Sequence, residues 1–119
     1  MLHRVLLLCL LLLGAPLAAQ AEIPFEPVRG ETKTISATSS SSGVTLTLNL
    51  PSLLVQNAGT SAAFYRTCVS SSGCTATTSD TPILSGAILV LHRPSTHYYV
   101  AAVTASGTAT VYVTPGNGE

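Results

Sequence analysis

Residues 98–115 read Tyr-Tyr-Val-Ala-Ala-Val-Thr-Ala-Ser-Gly-Thr-Ala-Thr-Val-Tyr-Val-Thr-Pro, and this stretch decides the fold class. β-Branched and aromatic residues recur at period two on both sides of Ser106-Gly107, which is a plausible two-residue turn. Pairing Ala105 with Thr108 sets the register of a hairpin. We therefore predict two antiparallel strands over this stretch.

The predicted register assigns side chains to the two faces of the hairpin, because successive residues of a strand point in opposite directions. The face expected in the core carries Val100, Ala102, Thr104, Ala109, Val111 and Val113. The opposite face carries Tyr99, Val103, Thr110 and Tyr112. This arrangement places Tyr99 and Tyr112 together on the outside.

The same period recurs from Thr32 onward, and no window has a helical period. The pattern predicts an all-β fold, a small antiparallel β-sandwich or barrel of about seven or eight strands. Ala87–Leu91 is apolar on both faces, so we expect it to be a central strand. The other predicted strands are Thr32–Thr38, Val44–Leu50, Leu53–Gln56, Ala62–Cys68 and Ala76–Ser79.

The first residues indicate export. Arg4 precedes the unbroken apolar run Val5–Leu13, and the small residues of Ala19-Gln20-Ala21 follow. This order is typical of a secretory signal peptide, here residues 1–21, cleaved between Ala21 and Glu22. The run is about half the length that a helix needs to cross a bilayer, so we expect no membrane anchor after cleavage.

The remaining chain is long enough for one domain. Residues 22–31 contain Pro24, Pro27 and Gly30, which favour an extended N-terminal arm. Residues 32–119 form the predicted single β-sandwich domain. Charged residues make up 8% of the chain, with five basic and five acidic side chains. That balance excludes the basic surface that nucleic-acid binding needs.

Two cysteines survive the predicted cleavage, Cys68 and Cys74. An oxidising compartment favours a disulfide between them, whereas a structural zinc site would need further ligands close by. If the two cysteines lie opposite one another, Thr67 pairs with Thr75 and the chain returns through Ala76–Ser79.

The chain offers little catalytic chemistry. Asp80 is the only acid within the β region, and His92 or His97 would have to approach it and a serine to form a triad. No nucleophile elbow or carboxylate pair is present, and a turn at Asp80 explains its place. His92 and His97 lack a nearby third ligand for a metal. We predict no enzyme, no metal and no cofactor.

Tyr99 and Tyr112 are the candidate contact residues, because the predicted hairpin places them on one exposed face. Aromatic side chains on such a face bind proteins or stack on sugars. A protein partner or self-assembly is the first expectation, with a glycan as an alternative.

Several segments resemble small virion-associated β-domain proteins of tailed bacteriophages and prophages, a family thought to be structural. The resemblance implies a compact β domain that decorates or joins larger assemblies, with no catalytic or binding residues to carry over. The matching segments are Val55–Gly59, Ala76–Ile83, Gly86-Ala87, His97, Val100–Ala102 and Ser106–Gly116.

Together these observations predict a non-enzymatic structural or interaction module. Tailed-phage virions assemble in the reducing cytoplasm, whereas the leader and the cysteine pair indicate export. We therefore expect a secreted, periplasmic or cell-surface protein of a bacterium, or a virion component if the leader is not used. The alternatives are an adhesin or pilus-like subunit that assembles by strand donation and a carbohydrate-binding module.

Overall fold

Nine β-strands and no helix form the part of the chain that the computed structural model describes, residues 24–118. The predicted all-β class is confirmed. The predicted leader and its cleavage site at Ala21 and Glu22 lie outside the described residues. The strands are β1 (Glu26–Pro27), β2 (Lys33–Ala37), β3 (Ser42–Thr45), β4 (Ser52–Asn57), β5 (Ala63–Cys68), β6 (Thr81–Ile83), β7 (Ile88–His92), β8 (Tyr99–Thr104) and β9 (Ala109–Asn117).

The strands form two antiparallel sheets. In the five-stranded sheet, β9 lies between β4 and the pair β1 and β2, and β4 lies between β9 and β7. The four-stranded sheet has the order β3-β8-β5-β6. The strands from β2 to β9 therefore pair in nested order along the chain: β2 pairs with β9, β3 with β8, β4 with β7 and β5 with β6. This nesting is the double Greek key of a jelly-roll sandwich.

The core lies between the two sheets and consists of small and β-branched side chains. Strand alternation places every second residue inward, as the sequence predicted for the two C-terminal strands, β8 and β9. The buried residues of this core are Ile35, Ala37, Leu46, Leu53, Val55, Ala63, Ile83, Val100, Ala102, Ala109, Val111 and Val113.

The predicted hairpin over residues 98–115 is wrong. β8 belongs to the four-stranded sheet and β9 to the five-stranded sheet, so the chain at Ser106-Gly107 crosses between sheets. Each strand has partners on both sides, β8 between β3 and β5 and β9 between β2 and β4. Alternation specifies the buried face of a strand, but two such faces pack equally well across a sandwich.

The predicted central position of Ala87–Leu91 is also wrong, because among the described strands β7 lies at the margin of its sheet and pairs only with β4. Leu89 and Leu91 pack against the core, whereas Ile88 and Val90 are exposed. An apolar row therefore faces solvent at an open sheet edge.

Two further strands differ from the prediction. β3 ends at Thr45, and residues 46–51 carry the chain across to the five-stranded sheet, with Leu46 still buried. Residues 76–79 form no strand, and β5 pairs instead with Thr81–Ile83. The Ala76 amide donates to Ser41 Oγ at 2.9 Å, so this segment is held over the outer face of the four-stranded sheet.

The described part of the predicted N-terminal arm is docked on its own chain. Glu26 and Pro27 pair with Asn117 and Gly116 of β9. The Phe25 ring lies over Gly116, where an added Cβ would come within 2.6 Å of the ring. A glycine is therefore required there for the arm to pack.

Asn57, at the end of β4, joins the β4–β5 loop to the connection between β6 and β7. Its side-chain amide donates to the carbonyl oxygens of Ser61 and Ile83, each at 2.9 Å, and its Oδ1 accepts from the Gly59 amide at 2.9 Å. Its backbone amide donates to Ala87 O at 3.0 Å. Because the residue is buried, removal of its side chain would leave the Ser61 and Ile83 carbonyl oxygens and the Gly59 amide without this partner.

We expect Asn57→Ala to lower the free energy of unfolding by about 3 kcal/mol, since a buried donor or acceptor left unpaired costs roughly 1–3 kcal/mol. Urea denaturation measures the change. Gln56→Ala, the neighbouring position on the outer face, is the control and should cost less than about 1 kcal/mol. Equal losses for the two variants would contradict the role assigned to Asn57.

Candidate functional site

The candidate site lies at the other end of β4, where residues 46–51 and the β7–β8 connection meet. His92, the last residue of β7, and His97, within this connection, are the two histidines that the sequence identified as candidate metal or catalytic residues. Two cavities open here and share His92. The first, of about 320 Å³, is lined by Asn49, Leu50, Pro51, His92, Arg93 and Ser95.

Arg93 dominates the first cavity and is only 2% exposed. Its Nε donates to Leu50 O at 2.6 Å, and its Nη1 donates to His97 O at 2.7 Å and to Pro94 O at 3.1 Å. Its Nη2 donates to Asn49 Oδ1. These acceptors belong to two separate loops, so one side chain holds both of them.

Backbone and ring contacts complete this environment. The Arg93 amide donates to Pro51 O at 2.7 Å, and the guanidinium carbon lies 5.3 Å from the centroid of the Tyr98 ring. Within residues 24–118 no carboxylate forms an ion pair with Arg93. Among these residues the positive charge is stabilised by carbonyl dipoles and an aromatic face.

The second cavity, of about 330 Å³, lies between the margins of the two sheets. Leu53 and Leu91 of the five-stranded sheet supply apolar lining, and the half-buried Tyr65 lies on the opposite sheet. Burial raises the pKa of the Tyr65 hydroxyl, an effect that its hydrogen bond with Thr81 partly offsets. The remaining lining residues are Arg66, Thr67, Asp80, Thr81, His92 and Pro94.

Asp80 is engaged by a bidentate ion pair and a turn. Arg66 Nη2 donates to Oδ1 at 2.9 Å and Arg66 Nε lies 3.1 Å from both carboxylate oxygens. The Thr77 amide donates to Oδ2 at 2.8 Å, and the Asp80 amide donates to Thr77 O at 3.0 Å. The hydrogen bonds from Arg66 and then from Thr77 lower the pKa of the Asp80 carboxyl.

The two histidines have different surroundings. His97 Nδ1 lies 2.7 Å from Thr67 Oγ1, so this ring bonds to a hydroxyl of the neighbouring strand. His92 is exposed and lines both cavities. No group of three or more metal-binding side chains occurs within the part of the chain that the structure describes.

Cys68 and Cys74 form the predicted disulfide, with their Cα atoms 6.0 Å apart. Cys74 and Ala76 pack on Ala101 and Val103, on the face of β8 that points away from the main core. The bridge thus fixes a covering segment over the four-stranded sheet. This second small core explains why β8 is apolar on both faces.

The structure separates the two candidate contact tyrosines. Tyr99 lies on the four-stranded sheet, where its ring covers Gly43, and Tyr112 lies on the five-stranded sheet opposite Gln56. The two side chains therefore do not form the joint patch that the hairpin predicted. Their separation follows from the crossing of the chain between sheets at residues 105–108.

Two features of this region were missed by the sequence analysis, the buried Arg93 and the open edge of β7. Arg93 stands between an apolar strand and Pro94, a context in which a solvated arginine is the usual expectation. The apolar sequence of β7 predicted a strand that is covered on both faces, and it gave no indication that Ile88 and Val90 are exposed.

No protein-family model, curated protein or solved structure matches the chain. Among the described residues there is also no helix with the length and apolar character needed to span a membrane.

We expect Arg93→Met to lower the free energy of unfolding by about 3–5 kcal/mol, because several buried carbonyl oxygens lose their donor at once. Arg93→Lys should recover only part of the loss, since an ammonium group lacks the planar fork. Urea denaturation measures both variants. Arg66→Ala is the exposed control, expected to cost about 1 kcal/mol or less. Wild-type stability in Arg93→Met would refute this role.

The lowered pKa of Asp80 predicts a pH dependence of stability. Its ion pair stabilises the fold above the ordinary aspartate pKa of 3.8, and this contribution is lost as the pH falls through the lowered value. Unfolding free energy should therefore fall less steeply between about pH 5 and pH 2 in Asp80→Asn than in the wild type. Glu26→Gln, an exposed acid outside this turn, should retain the wild-type slope. An unchanged slope in Asp80→Asn would argue against the coupling.

Proposed function

We propose that the chain is an exported, non-enzymatic structural or interaction module, related to the virion-associated β-domain proteins that its sequence resembles. Its function would reside in the surfaces that it presents to larger assemblies. The jelly-roll topology supports this proposal, because the fold is common in viral capsid and lectin domains. Fold alone does not specify function, so the site carries the argument.

The observation that carries the proposal is the engagement of the polar side chains that would have to perform chemistry. The Asp80 carboxylate is occupied by Arg66, and His97 by Thr67. Arg93 donates to the acceptors of its own loops. Each of these groups has a partner within the fold, and Asp80, the acid that a triad would need to orient a histidine, is engaged by Arg66 instead.

The exposed apolar side chains point to contact with another protein. Leu84, Ile88 and Val90 are among the exposed large hydrophobic residues of the described chain, and all three lie at or next to β7. Apolar side chains clustered at one margin are typical of interaction surfaces.

Export is supported by the leader pattern and by the Cys68–Cys74 bridge, since such bridges persist in oxidising compartments. We expect the chain, expressed from its native N-terminus, to appear in the periplasmic or surface fraction as a species beginning at Glu22. Intact mass should rise by about 2 Da on reduction as the bridge gains two hydrogens. Cys68→Ser with Cys74→Ser is the control and should show no such shift.

A reduced cytoplasmic species that retains residues 1–21 would contradict export. If that species co-sediments with phage particles, the virion-associated role would take precedence over the exported one. Recovery with neither the envelope nor particles, together with an enzymatic activity lost in His97→Ala, would overturn the proposed class.

A further inference from the structure

The edge of β7 differs from the other margins of the two sheets. Ile88–His92 contains no Lys, Arg, Asp, Glu, Pro or Gly. Natural sheet edges are usually blocked by charges, prolines, short strands or bulges, because an open edge pairs with other strands. The other margins follow that rule: β1 contains Pro27, β2 contains Lys33, β6 has three residues with Pro82 at its centre, and β3 has four residues.

Two backbone hydrogen bonds establish which groups of β7 face the open edge. Ala87 O accepts from Asn57 N, and Arg93 N donates to Pro51 O, so these backbone groups of Ala87 and Arg93 point towards β4. Along a strand the direction of the backbone groups alternates with each residue. The N–H and C=O groups of Ile88, Val90 and His92 therefore point away from β4, into the open edge.

The side chains of the same residues lie on the outer face of the sheet. Ile88 is 62% exposed and Val90 is 42% exposed, while Leu84, in the turn before the strand, is 64% exposed. Leu54 of β4 is paired with Val90 and extends the apolar surface inward. Within residues 24–118 this margin thus offers unpaired backbone groups and apolar side chains at the same place.

We propose that β7 pairs antiparallel with β7 of a second copy of this chain, about a two-fold axis at Val90. This inference rests on the proposed function as an interaction module. In that register Val90 faces Val90 of the second copy, and Ile88 faces His92 of the second copy. The three pairs supply about six backbone hydrogen bonds, two for each pair. The two five-stranded sheets become one continuous sheet with an apolar strip across the axis.

A second copy is the occupant that the chain itself favours. No Lys, Arg, Asp or Glu side chain of β7 is brought to the axis, and the imidazole of His92, which lies opposite Ile88, is the polar side chain of β7 that the pairing includes. Pairing of β7 with β1, β2 or β6 would meet Pro27, Lys33 or Pro82, which block strand addition, and β3 offers a margin of only four residues. Pairing of β7 with itself is isologous and closed, so it stops at a dimer rather than growing into a fibre.

Sedimentation velocity of the protein recovered from cells, over a range of concentrations, tests the self-association. The wild type should show a concentration-dependent dimer. Val90→Lys should raise the dissociation constant about tenfold or more, because it places like charges opposite each other across the axis. Ser36→Lys is the matched control, an exposed position on β2 at the other margin of the same sheet, and should leave the constant unchanged.

Cross-linking tests the register and does not depend on the stability of the lysine variant. Residues in a hydrogen-bonded antiparallel pair have Cα atoms about 5.5 Å apart, within the range that a disulfide bridges. Mild oxidation of Val90→Cys should yield a covalent dimer, and peptide mass analysis should identify a bond between the two introduced thiols. Ser36→Cys should yield none.

A wild-type chain that stays monomeric at all concentrations would overturn the dimer. So would a dimer that Val90→Lys leaves intact, because the interface would then lie elsewhere. Addition of a strand from a different protein, blocked by Val90→Lys while the pure chain stays monomeric, would also overturn it. None of these outcomes affects the fractionation test, so failure of the dimer is distinguishable from failure of the proposed function.

Discussion

A buried positive charge that has no carboxylate partner within residues 24–118 constrains one whole end of the sandwich. The Arg93 guanidinium is removed from water and must find an acceptor for nearly every N–H, and the chain supplies these from Asn49, Leu50, Pro94 and His97. Those acceptors are carbonyl and amide oxygens whose positions depend on the backbone. The loops therefore hold one arrangement, because any other would leave a buried charge unsatisfied.

At the opposite end of β4, the neutral side-chain amide of Asn57 likewise fixes loops through buried hydrogen bonds to their backbone groups. Asn57 joins the loops around Ser61, Ile83 and Ala87, so β4 runs between two polar centres. The core between them contains many alanines and valines, which bury less apolar area than leucine or phenylalanine would. In such a core, buried hydrogen bonds specify how the strand connections are placed, and the disulfide adds a third fixed point at the covering segment.

The sequence predicted the inward-facing residues of the strands better than it predicted which strands pair with one another. Alternation correctly identified the inward residues of β8 and β9, such as Val100 and Val111, because burial of one face imposes period two. It could not show that these strands lie in different sheets, and Tyr99 and Tyr112 were placed together for that reason. For Ala87–Leu91 the error concerned the position of the strand in its sheet, which is marginal rather than central. An apolar strand indicates that both faces avoid water, but a strand at a margin can expose one of them to a partner instead.

The site was the least predictable part, because its residues have ordinary sequence contexts and act through backbone groups. Nothing local marks Arg93 as buried, since its acceptors lie more than forty residues earlier as well as beside it. The sequence identified Asp80 and the histidines as candidate catalytic residues because of their chemical type. In the structure Arg66 binds Asp80, and Thr67 hydrogen-bonds to His97. Within the described part of the chain, a row of N–H and C=O groups on β7, at Ile88, Val90 and His92, has no partner strand. A backbone edge leaves no motif of reactive side chains, so the strand pairing that we propose for β7 is inferred from topology and hydrogen-bond direction rather than from a sequence motif.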